Sequence, residues 1–173
     1  MAHLVRNAEI TSDSWQLLDT PEAVAGVLSS APQGTPDALI SLPLWLASRE
    51  AFEAKRIRLG ILLEPNDDPQ DLVPDLPRVE LIAVKFVRFT DGRGYSIARL
   101  LRGRYGYHGE LRAVGDVLLD QLYYMKRVGF DAFALRDDQD PLAAKAALSA
   151  FTTGYQGSAD EPLPLFRRRQ AQA

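Results

Sequence analysis

Residues 84–133 read VKFVRFTDGRGYSIARLLRGRYGYHGELRAVGDVLLDQLYYMKRVGFDAF. An apolar strand leads into a turn with two glycines, and an amphipathic helix that carries several arginines follows it. A second strand, a turn with an aspartate, a second amphipathic helix and a third strand complete the stretch. This order predicts a β-α-β-α-β unit with its polar residues concentrated at the turns.

The rest of the chain extends this unit on its amino-terminal side. Residues 1–20 alternate weakly and predict an edge strand or a hairpin. Two further apolar strands are predicted at 38–42 and 58–63, and the first strand of the unit is predicted to cover 79–87. Strands that alternate with helices predict an α/β fold: an open, mainly parallel sheet of about five strands with helices on both faces, a three-layer sandwich. A complete eight-fold α/β barrel is not expected, because such barrels need roughly 200 residues or more and the chain has 173.

The domain boundary is predicted near residue 156. Residues 1–156 are interpreted as a single α/β domain, because 173 residues suit one hydrophobic core. Residues 157–173 are rich in glycine, serine, proline and polar residues and end close to three consecutive arginines, so we interpret them as a flexible C-terminal tail.

Composition excludes several kinds of chemistry. The chain has no cysteine and only two histidines, which excludes disulfides, thiolate-bound clusters, a cysteine nucleophile and a metal site built from several histidines. The net charge of −3 gives no reason to expect nucleic acid or an anionic membrane as a partner. We see no long apolar run and no leader pattern, so a cytoplasmic location is expected.

The turn after the 79–87 strand is the first candidate ligand site. Its glycines let the backbone take positive φ and let a ligand approach closely, and the start of the next helix favours an anion. Arg93 offers a bidentate fork for phosphate, sulfite or a carboxylate. The alternative is a tight turn in which Asp91 caps the helix. The candidate residues here are Asp91, Gly92, Arg93, Gly94, Tyr95 and Ser96.

The second candidate segment is residues 109–121. Asp116 stands at a turn, where it could cap the next helix or act in catalysis, and Gln121 follows in the first turn of that helix. Arg112 lies inside an apolar strand and needs a carboxylate partner, for which Asp91, Asp116 and Glu110 are the candidates. We therefore add Arg112, Asp116 and Gln121 to the ligand-binding candidates; His108 is interpreted as a surface or packing residue.

Charge is unevenly distributed along the chain. Residues 85–112 contain seven basic and two acidic residues, whereas residues 64–78 contain five acidic residues and one arginine. The two segments are expected either to pair with each other or to leave a basic face that binds an acidic partner or an anion. Arg99 and Arg102, on one face of the predicted helix, are the candidate partner-binding residues.

The stretch FTDGRGYSIARLLRGRYGYHGELRAVGDVLLDQLYYMKRVGFDAF resembles a bacterial family, the domain-of-unknown-function family nine-three-four, and the likeness extends more loosely from Ala38 to Gln156. Members of that family are often encoded beside the sulfite reductase haemoprotein, which implies a role in assimilatory sulfite reduction. The family supplies no catalytic residues to carry over. Because this chain lacks cysteines, an iron–sulfur cluster would have to belong to a partner.

Three functional hypotheses follow. In the first, the chain is a non-catalytic accessory or binding protein that engages the reductase or a small anionic ligand at the carboxyl edge of the sheet. In the second, it is an oxidoreductase or reductase subunit that uses a dissociable cofactor in the same pocket, with Asp91 and Asp116 in acid–base roles. In the third, these residues only hold the fold. No flavin or nicotinamide fingerprint is present, so we expect no resident cofactor and no metal.

Overall fold

The structure is a computed structural model that describes residues 3–30, 37–53 and 57–171. Its strands are β1 (His3–Arg6), β2 (Glu9–Thr11), β3 (Gln16–Leu18), β4 (Ala38–Ser41), β5 (Leu59–Leu63), β6 (Val79–Phe86), β7 (Glu110–Gly115) and β8 (Ala132–Leu135). Its α-helices are α1 (Pro21–Ser30), α2 (Leu42–Glu53), α3 (Arg93–Gly103), α4 (Leu122–Val128), α5 (Pro141–Leu148) and α6 (Leu165–Ala171). Two 3-10 segments cover Pro69–Arg78 and Leu119–Gln121.

All eight strands form one curled, mixed sheet in the order β2-β1-β8-β7-β6-β5-β4-β3. The strands from β3 to β8 are parallel and lie side by side in chain order, whereas β1 is antiparallel to both β8 and β2. The predicted β-α-β-α-β unit is confirmed as β6-α3-β7-α4-β8. The predicted number of about five strands is too low, because three or four residues are too few for a clear periodic pattern in β1, β2 and β3.

The helices lie on one face of the sheet, so the prediction of helices on both faces is wrong. Each parallel strand adds beside the preceding one in the same direction, and right-handed crossovers then place every intervening helix on the same side. The apolar side chains of α1 to α5 accordingly share one core with Ile61, Ile82, Val84 and Leu111. The molecule therefore has two layers rather than three.

The opposite face of the sheet carries a smaller apolar cluster formed by Leu39, Leu62, Leu81 and Ala83. Trp15, which precedes β3, packs against this cluster. Its ring lies so close to the backbone of Gly60 that a Cβ there would meet it at 2.9 Å. Among the described residues, Trp15 and Val114 are the partly buried apolar side chains that pack against this cluster.

Residues 158–160, at the start of the segment interpreted from sequence as a flexible tail, contact Arg127 of α4. The nearly buried Arg127 makes a 2.6 Å ion pair with Asp160 and donates to the carbonyl of Gln156, and its own carbonyl accepts the N–H of Ala159 at 3.0 Å. The sequence alone could not show this, because the partner arginine lies on a distant helix. Residues 172 and 173 of the predicted tail lie outside the described residues.

Candidate functional site

The loops that follow β5, β6, β7 and β8 meet at the carboxyl edge of the sheet, because these strands are parallel. Residues 87–92, called here the β6–α3 loop, contain the first candidate residues. An open cavity of about 530 Å³ lies between this loop and the one after β5, and its lining includes Asn66, Thr90, Asp91 and Arg93. The edge therefore has a cavity beside the predicted turn.

Asp91 and Arg93 bind each other at this cavity. The guanidinium of Arg93 donates to both carboxylate oxygens of Asp91, at 2.9 and 2.6 Å, and its third nitrogen reaches Asn66 Oδ1 at 2.5 Å. The backbone N–H of Arg93 also donates to Asp91 at 3.1 Å. These hydrogen bonds from Arg93 lower the pKa of the Asp91 carboxyl to about 2. Asp91 is thus an ionised partner of Arg93 at neutral pH and poorly suited to proton transfer.

The two glycines of the turn have different roles from those predicted. Neither has positive φ, since among the described residues positive-φ glycines occur at 106, 115 and 129. Gly94 is required for packing, because a Cβ there would lie 2.6 Å from the ring of Phe86. Gly92, with φ of −79°, has open space around it. Close packing of α3 on β6, and not backbone freedom for a ligand, accounts for Gly94.

Asp116 and Gln121 together hold the backbone of Phe89. One oxygen of Asp116 accepts the N–H of Phe89 at 2.9 Å, and Gln121 Nε2 donates to the carbonyl of Phe89 at 2.7 Å. The other oxygen of Asp116 accepts from Arg136 at 2.7 Å. Asp116 does not cap a helix, because the next helical segment begins only at Leu119. Sequence analysis missed Arg136, whose role depends on the neighbouring loop after β8.

The β6–α3 loop presents exposed side chains on this fixed backbone. Phe89 is 49% exposed and Val87 is 55% exposed, and Arg88 between them is exposed without a polar partner among the described residues. Val87, Arg88 and Phe89 are called here the exposed edge triad. Two exposed apolar side chains thus flank an exposed guanidinium at this edge of the sheet.

Arg112 lies apart from the carboxyl-edge candidates. Its side chain is only 2% exposed, and it pairs with Glu110 at 2.6 Å and with Asp13 at 2.8 Å. The predicted pairing with Glu110 is therefore confirmed, whereas Asp91 and Asp116 bind other arginines. Asp13 is 99 residues away in sequence, so no local pattern could identify it. Arg112 fixes the segment before β3 to the sheet and does not share a pocket with Asp91.

Arg99 and Arg102 occupy different environments on α3. Arg102 is largely enclosed: it donates to the carbonyls of Tyr107, Gly109 and Gly129 and pairs with Asp131 at 2.8 Å. Its guanidinium is thereby committed to contacts within the chain.

Arg99 is exposed and has no polar partner among the described residues. It lines an open cavity of about 500 Å³ together with Tyr95, Ser96 and Tyr124. Tyr95 and Ser96 thus lie on the helix side of the turn, away from the cavity beside Asp91. Of the two predicted partner-binding arginines, Arg99 is the one that a partner can reach.

Lys85 and Glu64 form an ion pair at 2.7 Å between the two oppositely charged segments. Asp75 of the acidic segment instead pairs with Arg49 and accepts from the Trp45 indole. In the part of the chain that the structure describes, no group of three or more acidic or histidine side chains could hold a metal ion. Among the same residues, no helix combines the length and the apolar character needed to cross a bilayer.

The family comparison concerns the region that contains this edge. A family model described as "Bacterial protein of unknown function (DUF934)" matches residues 60–166. The match begins within β5 and includes β6 to β8, the β6–α3 loop and the residues that hold it. No curated protein and no solved structure matches the chain.

Proposed function

Since this chain belongs to the bacterial family DUF934, whose model matches well over half of it, we propose that it is a non-catalytic accessory protein of assimilatory sulfite reduction. It binds the sulfite reductase haemoprotein through the carboxyl edge of its sheet. The exposed edge triad is the centre of the contact, and Arg99 contributes at its periphery.

One observation carries the proposal: Phe89 has a fixed backbone and a half-exposed side chain. Its N–H is bound by Asp116 and its carbonyl by Gln121, so the loop is ordered before a partner arrives. A side chain that is already positioned loses little conformational entropy on binding. Aromatic and arginine side chains also contribute a large share of binding energy at protein interfaces. Phe89 and Arg88 supply one of each.

Binding is favoured over catalysis because the carboxylates of both candidate aspartates are already hydrogen-bonded to other groups of the chain. Asp91 is held ionised by Arg93, and Asp116 accepts hydrogen bonds from Phe89 and Arg136. Binding of a small anion is also less favoured, since Arg93 is already saturated by Asp91 and Asn66. These groups shape the loop rather than face a reacting molecule.

The link to sulfite reduction comes from the family resemblance, because members of that family are often encoded beside the sulfite reductase haemoprotein. A chain without cysteine supports such a role as a partner of a redox enzyme that carries its own cluster.

The proposal is tested by size-exclusion chromatography of the purified chain mixed with the purified sulfite reductase haemoprotein of the same organism. We expect both proteins to elute in one earlier peak with sirohaem absorbance. Separate elution of the two proteins at concentrations of about 10 µM, where a micromolar complex would form, would contradict the proposed partner.

A further inference from the structure

A third cavity, of about 420 Å³, opens at the other edge of the sheet, beside the start of β8. Its size lies within the range of small-molecule sites, about 300–1,000 Å³. The apolar part of its lining comes from four separate parts of the chain and consists of Ala8, Phe130, Phe133, Leu148 and Ala159. Ala159 belongs to the segment that Arg127 anchors, so the C-terminal residues form one of its walls.

The turn between β1 and β2 supplies a strained part of this wall. Asn7 and Ala8 have φ of 51° and 63°, and they form the two-residue loop between the paired residues Arg6 and Glu9. Such loops favour glycine at the second position, because positive φ is unfavourable for a residue with a side chain. Ala8 nevertheless carries a methyl group that packs against the core and lines the cavity. Strained residues of this kind concentrate at binding sites.

The charged groups of the cavity differ in whether they are already paired. Arg102 and Asp131 pair with each other, and Asp160 is bound by Arg127. Lys126 is exposed, and among the described residues the one polar contact of its ammonium group is a long hydrogen bond of 3.4 Å to the carbonyl of Leu148. A single cation without an anionic partner therefore stands at the rim of a mainly apolar cavity.

We propose that this cavity binds a small amphiphilic molecule with an apolar body and one carboxylate or sulfonate group. The apolar body lies against Phe130, Phe133 and Leu148, and the anionic group pairs with Lys126. The site is separate from the carboxyl edge and does not depend on the function proposed there.

The first test uses sodium octanoate as the probe and 1-octanol as a neutral probe of the same chain length, in isothermal titration calorimetry. Octanoate is expected to bind the whole chain at one site. Lys126→Met should weaken octanoate binding about three- to fivefold, as expected for a partly exposed ion pair, and should leave 1-octanol binding unchanged. Lys145→Met is the matched control, since Lys145 is exposed on α5 and does not line the cavity.

A second variant and a direct map complete the test. Ala159→Trp should fill the cavity and weaken octanoate at least tenfold in a protein that melts cooperatively. For the unmodified chain, octanoate should shift the amide NMR signals of Ala8, Phe130 and Leu148 most. The proposal is overturned if octanoate does not bind, if the shifts centre elsewhere, or if Lys145→Met weakens binding as much as Lys126→Met.

Discussion

The carboxylate of Asp116 accepts the backbone N–H of Phe89 at 2.9 Å, across 27 residues of sequence. This hydrogen bond joins the loop after β7 to the loop after β6. Asp116 was a candidate for catalysis on sequence grounds, but in the structure it positions an exposed aromatic side chain.

Asp116→Ala should therefore destabilise the protein and loosen the β6–α3 loop. It leaves the Phe89 N–H without its acceptor and Arg136 with Asp138 as its remaining partner, and the expected cost is about 1–3 kcal/mol. Asp116→Asn should cost less, because an amide oxygen still accepts from Phe89 and the lost charge faces the half-exposed Arg136. Urea unfolding measures both. Equal stability of the alanine variant and the unmodified chain would show that the hydrogen bond does not hold the loop.

The two glycines of the turn should respond oppositely to alanine. Gly94→Ala places a methyl group 2.6 Å from the Phe86 ring and should destabilise by about 1–3 kcal/mol through overpacking. Gly92→Ala meets no neighbour within 4 Å and should be neutral or slightly stabilising. Thermal unfolding of the two variants, measured side by side, checks this prediction. A larger loss at Gly92 would restore the interpretation in which the turn needs glycine for a close ligand.

Arg112 should be important for stability although it is distant from the carboxyl edge. Removing its nearly buried guanidinium in Arg112→Ala leaves Asp13 without its ion-pair partner and Glu110 with Arg6 alone, at an expected cost of about 3 kcal/mol. Arg58→Ala is the matched control: Arg58 also bridges two carboxylates, Asp37 and Glu80, but it is 56% exposed and should cost less than about 1 kcal/mol. Chemical denaturation distinguishes the two. Similar losses in both variants would mean that burial does not set the strength of the Arg112 pairs.

Asp91 should titrate far below an ordinary aspartate. Because its folded pKa of about 2 lies below the ordinary value of 3.8, its contribution to stability is complete above about pH 5 and is lost as the pH falls through 3.8 toward 2. Carboxyl ¹³C NMR should place its midpoint near pH 2, and Arg93→Gln should raise it toward 3.8. Arg88→Gln, which removes a neighbouring guanidinium that does not bind Asp91, should leave it unchanged. A midpoint near 3.8 in the unmodified chain would make Asp91 available for proton transfer after all.

The sequence could predict what local patterns determine. The apolar run of β6, the glycine that ends α4 and the alternation of strands and helices are all short-range signals, and the central unit was predicted correctly from them.

The sequence could not predict contacts that depend on the order of strands in the sheet. The helices lie on one face because each parallel strand is added on the same side of the preceding strand. No local sequence pattern encodes that order of strands. The partners of Asp116 and Arg112 include Arg136 and Asp13, which lie in other loops. A polar residue at a turn therefore predicts only that its side chain is hydrogen-bonded. Whether the bonded group belongs to a ligand or to the chain itself depends on the tertiary structure.

The most direct test of the central claim compares two phenylalanines of equal exposure. Phe89 is 49% exposed at the carboxyl edge, and Phe166 is 48% exposed on α6. Affinity for the sulfite reductase haemoprotein is measured by biolayer interferometry for Phe89→Ser and Phe166→Ser. We predict that Phe89→Ser weakens binding at least about tenfold, as expected for an interface anchor, while Phe166→Ser binds like the unmodified chain. Unchanged binding by Phe89→Ser would contradict the account.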